Sequence, residues 1–93
     1  MSSSMSELDE GLKNLLTALS TKILACDASA ISWSDDIDEF GFQSMEVNQL
    51  CADLNAILDI SIDPSIFLEV TSLQALSEHL KMNCYESLEA KLL

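Results

Sequence analysis

Phe40-Gly41-Phe42-Gln43-Ser44-Met45 is the stretch on which the reading of this chain turns. Two aromatic residues bracket a glycine, whose permissive backbone allows a sharp approach to the next element. From Ser44 onward Val47, Leu50, Cys51, Leu54, Ile57 and Leu58 recur at helical spacing, which predicts a helix over 44–58 with those residues as its buried stripe. At about 100° per residue, Met45 falls nearly opposite that stripe. It is expected on the surface directly beside Ser44. Gln49, Ala52 and Ala56 share its face, and Glu46 and Asp53 flank it. Methionine is flexible and polarizable, which suits a surface that meets several partners.

Upstream, residues 27–43 read as a long connection. Ala28, Ser29, Ser32, Ser34, Asp35, Asp36 and Asp38 keep it polar, while Ile31, Trp33, Ile37, Phe40 and Phe42 are apolar anchors within it. A connection this long is uncommon in a small domain unless it serves a function, and its anchors predict that it is packed down. Before it, Leu8, Leu12, Leu15, Leu16, Leu19, Ile23 and Cys26 form one stripe, predicting a helix over 6–26. Ser6 is the expected N-cap, with Glu7, Asp9 and Glu10 in a first turn that favours acids. Residues 1–5 read as a flexible leader. The face opposite the stripe is not basic, which argues for a core helix over a membrane-surface helix.

Downstream, Ile60 and Ile62 alternate with polar residues as a short extended segment. Asp63-Pro64 reads as a cap followed by proline at the first helical position, opening one or two turns over 65–69 that bury Ile66, Phe67 or Leu68. Thr71 followed three later by Gln74 has the form of a capping box and starts a helix over 72–82, with Leu73, Leu76 and Leu80 inward. The domain is therefore expected over 6–82. Residues 83–93, with Tyr85, Leu88 and Leu92, form a tail or linker with a short helical pattern that packs on the domain or docks a neighbour.

Bulk properties exclude several classes. The chain has 93 residues, 48% of them hydrophobic, with two glycines and one proline. That describes one domain and favours helices over a turn-rich β fold. Sixteen acids against four bases give a net charge of −12. Such a surface repels nucleic-acid phosphates and anionic lipid, and attracts partners with basic patches. Cys26, Cys51 and Cys84 form no paired or metal-ligand spacing and read as small buried hydrophobes in a reducing, cytoplasmic setting. No signal peptide or membrane-spanning run is evident.

Catalysis by the chain alone is not expected. Ser44 lies in Phe42-Gln43-Ser44-Met45-Glu46, which lacks both glycines of a nucleophile elbow. His79 is the sole histidine and has no partner at ligand spacing, so it reads as solvated. A calcium loop begun at Asp36 would place Phe40 and Val47 where oxygen ligands are required, so no metal site is expected. Two readings of Ser44 remain level on the residues alone. It is either a plain N-cap, which contributes about 1 kcal/mol, or an attachment point whose hydroxyl lies among unpaired backbone N–H groups that favour an anion.

The pattern Gly41-Phe42-Gln43-Ser44-Met45, then Leu50, Leu54 and Asn55, then Ile66-Phe67-Leu68-Glu69-Val70-Thr71 with Leu73, Leu76 and Leu80, resembles acyl carrier proteins. It is similar in particular to carrier domains of modular polyketide synthases, including those with separate acyltransferases. The family pattern is Gly-Phe/Ile-Asp-Ser-Leu/Met/Ile with a late Phe-x3-Thr-x3-Leu segment. The resemblance implies an all-α, four-helix acyl-carrier-like bundle with a long first loop and a short third helix. It implies 4′-phosphopantetheine on Ser44, added from coenzyme A by a phosphopantetheinyl transferase and carrying acyl groups as thioesters in a pathway such as antibiotic biosynthesis. It further implies docking of ketosynthase, acyltransferase and modifying enzymes through Phe42, Gln43, Met45, Glu46 and Gln49, on a domain that is monomeric when isolated. Peptidyl and fatty-acid carriers share the pattern. The chain departs from it at Gln43, where the family usually has aspartate. The alternative that this departure supports is an acidic interaction module that carries nothing.

Overall fold

The computed structural model describes residues 3–92, with side chains from Glu7 onward. Among the described residues four α-helices form: α1 (Ser3–Leu24), α2 (Ser44–Leu58), α3 (Leu73–Asn83) and α4 (Tyr85–Leu92). Three 3-10 turns join them, at Ala28–Ala30, Ile37–Glu39 and Pro64–Leu68. Among the described residues there is no strand, only one isolated bridge between Asp36 and Ser72. The all-α bundle that the resemblance implied is the fold observed.

The stripe of α1 buries Leu8, Leu12, Leu16 and Leu19, with Leu15 and Ile23 half-buried beside them. The helix spans Ser3–Leu24, not 6–26. Residues 3–5 are therefore helical, and Ser6 lies inside the helix instead of capping it, with the acids beyond the first turn. Met1 and Ser2, the rest of the expected leader, lie outside the described residues. At the C-terminal end Ala25 turns left-handed at φ 53°, and the Cys26 N–H donates to the Thr21 carbonyl at 3.1 Å. That closure leaves Cys26 outside the helix and half-buried.

In α2 the core face is Leu50, Cys51, Leu54 and Leu58. Val47 is half-buried and Ile57 is 42% exposed, so the stripe is narrower than its spacing suggests. Burial raises the Cys51 thiol to about 11, with the Asp63 carboxylate adding to the shift. Burial also raises the Cys84 thiol, which is half-buried. Both are packing groups rather than nucleophiles.

The long connection is packed down as its anchors required. Ile37 and Phe42 are buried, and Phe40 meets Phe42 edge-on with ring centres 6.0 Å apart. Backbone bonds tie it to the segment that opens α3. The Ile37 N–H donates to the Thr71 carbonyl at 2.8 Å, and the Gln74 N–H to the Trp33 carbonyl at 3.0 Å. Lys13 of α1 lies 5.5 Å over the Trp33 ring, a cation–π contact of roughly 0.5–1 kcal/mol at an exposed site.

Ser72, not Thr71, caps α3, its hydroxyl accepting from the Ala75 N–H at 3.1 Å. Leu73, Leu76 and Leu80 face inward as their spacing demands. His79 is half-buried instead of solvated as expected, and its hydrogen-bond partner among the described residues is Asn83 of the same helix. The expected short third helix is the 3-10 turn at Pro64–Leu68. Asp63 caps it by accepting from the Ser65 N–H at 2.9 Å, which holds the Asp63 carboxyl below its usual range. None of its residues is fully buried, but Ile66 and Phe67 are half-buried and pack against the core as expected, while Leu68 is 85% exposed.

The segment expected as a tail is α4. It packs on α1, α2 and α3, buries Leu88 completely and sets Leu92 against Gly11. Burying one leucine contributes about 1.5–3 kcal/mol. This helix is therefore part of the bundle.

Candidate functional site

The site is assembled at the junction of the long connection and α2. Gly41 makes the corner at φ +127°, in the region that favours glycine. A β-carbon there would also meet the Leu24 side chain at 3.3 Å. The turn drives Phe42 inward, to 1% exposure, and its N–H returns to the Ile37 carbonyl at 3.1 Å. The chain then swings outward over Gln43 and Ser44, both exposed.

Gln43 is the N-cap of α2, and Ser44 is its first helical residue. Gln43 and Glu46 face each other as a capping box: the Glu46 carboxylate accepts from the Gln43 backbone N–H at 3.2 Å. The Gln43 carbonyl receives the Val47 N–H at 2.8 Å. Ser44 is thus relieved of the capping role that the sequence left open. Among the described residues no side-chain hydrogen bond engages its hydroxyl. It sits on a helix end whose first N–H groups have no intrahelical partner, an environment that favours an anion.

A groove of about 560 Å³ opens beside Ser44. Its walls come from three stretches distant in sequence: the end of the long connection, the first turns of α2 and the 3-10 turn at Pro64–Leu68. Ile37, Val47, Phe67 and Leu68 supply apolar surface, and Asn48 and Thr71 polar surface. Asn55 fixes the segment between α2 and the 3-10 turn at Pro64–Leu68. Its side-chain amide donates to the Ile62 carbonyl at 3.1 Å and accepts from the Ile62 N–H at 2.8 Å.

The other expected surface residues divide. Met45 is 78% exposed beside Ser44, as its helical position requires. Gln49 is exposed and donates to Asp53 at 2.9 Å. Glu46 is half-buried and occupied in the cap. Phe42, at 1% exposure, anchors the loop and also lines the groove beside Ser44. Leu68 is the surface residue that periodicity missed, because its position depends on how the 3-10 turn packs.

Residues 14–80 match the family model described as "Phosphopantetheine attachment site". The chain belongs to that family. It is a carrier domain of the acyl carrier class, whose members hold 4′-phosphopantetheine covalently, are modified by phosphopantetheinyl transferases, work with synthase enzymes and are generally non-catalytic themselves. The match ends before α4. No solved structure matches the chain. The residues present fit the group: a carrier needs an accessible hydroxyl, a field that tolerates a phosphodiester and room for an arm. Ser44 is exposed and unengaged, it stands at a helix N-terminus, and the neighbouring groove falls in the size range of ligand pockets, about 300–1,000 Å³. Among the described residues no cluster of metal-ligating side chains forms, and no helix is long and apolar enough to cross a membrane.

Proposed function

We propose that Ser44 is the attachment residue and that the chain is a carrier domain of a modular polyketide synthase. The observation that carries the site is the position of Ser44: exposed, first in α2, released from capping by Gln43 and placed on the rim of a groove. In the loading step the Ser44 oxygen bonds to the phosphorus that bears pantetheine in coenzyme A. The phosphoanhydride bond breaks, adenosine 3′,5′-bisphosphate leaves, and the hydroxyl proton passes to a base that the transferase supplies. The chain's own part is to present the hydroxyl and the field around it. The arm's thiol then holds acyl groups as thioesters, and the cofactor supplies that chemistry.

The polyketide assignment is supported by the Phe40-Gly41-Phe42 opening and the Ile66-Phe67-Leu68-Glu69 segment, which are similar to carriers served by separate acyltransferases, as in antibiotic biosynthesis. Met45, Gln43, Gln49 and Leu68 form the proposed docking surface for ketosynthase, acyltransferase and modifying enzymes. The domain is proposed to run through α4, to be monomeric when isolated and to work in the cytoplasm. Tandem mass spectrometry of the loaded protein should place the phosphopantetheine on the peptide containing Ser44. A loaded sample should accept acyl groups from polyketide enzymes in preference to fatty-acid enzymes. An arm found on another residue rejects the site, and the opposite preference rejects the pathway.

A further inference from the structure

We propose that the Gln43 side-chain amide is the protein donor that holds the phosphodiester of the arm and steers the arm into the adjacent groove. This rests on the assignment of Ser44 as the attachment residue. Gln43 and Ser44 are consecutive, both are exposed and both line the groove. Gln43 sits at the N-cap with its side chain turned toward the Glu46 N–H. In that pose the amide oxygen faces the first turn of the helix without completing a side-chain cap hydrogen bond. The amide NH2 has no partner among the described residues, which leaves it for a ligand on the neighbouring Ser44.

A carboxylate at this position would be acceptor-only and would repel a phosphodiester one residue away. The glutamine amide donates instead, and hydrogen bonds to a charged acceptor are among the stronger ones. In a chain of net charge −12, with Asp36 and Asp38 on the groove and the Glu46 carboxylate held on the Gln43 backbone N–H, a neutral donor at position 43 avoids adding a further carboxylate beside the phosphodiester. Once the phosphate is held there, the remainder of the arm has the apolar wall of Val47, Phe67 and Leu68 to lie on. Gln43 is in this sense a positioning residue, and its replacement of aspartate is a gain of an arm contact.

The test uses the full chain, isotope-labelled, in unloaded and loaded forms, with loading confirmed by intact mass before spectra are taken. In the loaded wild type the Gln43 side-chain amide resonances should move downfield, and arm protons should show NOEs to the Val47 and Leu68 methyls. Gln43→Glu keeps the shape but replaces the donor with a charge. Gln43→Leu removes the donor without adding charge. Both should lose the arm-to-groove NOEs, while their unloaded spectra retain the wild-type pattern outside residues 42–47. Unmoved Gln43 amide resonances in the loaded wild type would overturn the inference, as would full NOEs in either variant. Failure of the wild type to gain mass would instead strike the Ser44 assignment, so the two failures are distinct.

Discussion

Gly11 and Gly41 undergo the same substitution with opposite expected outcomes, and the sign in each case is set by the backbone. Gly41 stands at φ +127°, where an L-residue is strained by about 1–3 kcal/mol. The new β-carbon would also lie 3.3 Å from Leu24 Cδ2, which adds a few tenths of a kcal/mol because the leucine tip can yield. Gly41→Ala should therefore cost about 1–3 kcal/mol. A chain of this length has roughly 5–14 kcal/mol of stability in total. At about 4–8 °C per kcal/mol, the midpoint should fall by roughly 4–24 °C. Gly11 lies within α1, where a β-carbon would meet Leu92 Cβ at 3.6 Å, an ordinary contact. Gly11→Ala should therefore stabilise by about 0.8–1 kcal/mol. Urea unfolding followed by far-UV circular dichroism measures both, with the slope against denaturant expected to hold constant. Shifts of the same sign, or a Gly41→Ala change below about 0.5 kcal/mol, would refute the account of the turn that presents Ser44.

Other consequences are checked in the same way. Leu88→Ala should cost about 2–5 kcal/mol, and removal of residues 84–93 at least as much; a truncated chain with unchanged thermal stability would show that α4 is dispensable. Gln43→Asp, which places a preferred N-cap residue on α2, should raise stability by about 0.5–1 kcal/mol in thermal melts of the unloaded protein, while weakening the proposed arm contacts. The Cys51 thiol is raised from an ordinary value near 9.0 to about 11 in the fold. Ionisation is therefore easier in the unfolded chain, and this contribution to stability is present below pH 9 and lost as pH climbs toward 11. Comparing the pH dependence of unfolding with that of Cys51→Ala isolates it; identical slopes in that window would contradict the burial of this thiol.

The helices were legible where leucines repeat over three or more turns, as in α1, α2 and α3, because periodicity reports which face a core must cover. Helix starts were not. Thr71 and Ser72 are adjacent and both are acceptable caps, so spacing alone could not choose between them. At α2 the rule favoured Ser44, since glutamine is a poor N-cap by itself, and only the reciprocal arrangement with Glu46 makes Gln43 serve. The short α4 was underread because eight residues with one fully buried leucine give a weak pattern. The candidate serine and the exposed Met45 were readable from sequence, since both depend on helical geometry within a few residues. The groove was not, because its walls are brought together from segments distant along the chain. The burial of Phe42 was legible from its place among the apolar anchors of the connection, whereas its place on the groove wall was not.

The most direct test of the central claim is the intact mass of the chain after incubation with coenzyme A and a broad-specificity phosphopantetheinyl transferase. The account requires that the wild type gain the mass of one phosphopantetheine and that Ser44→Ala gain none. A wild type that stays unmodified, or a Ser44→Ala chain that still acquires the arm, would contradict it.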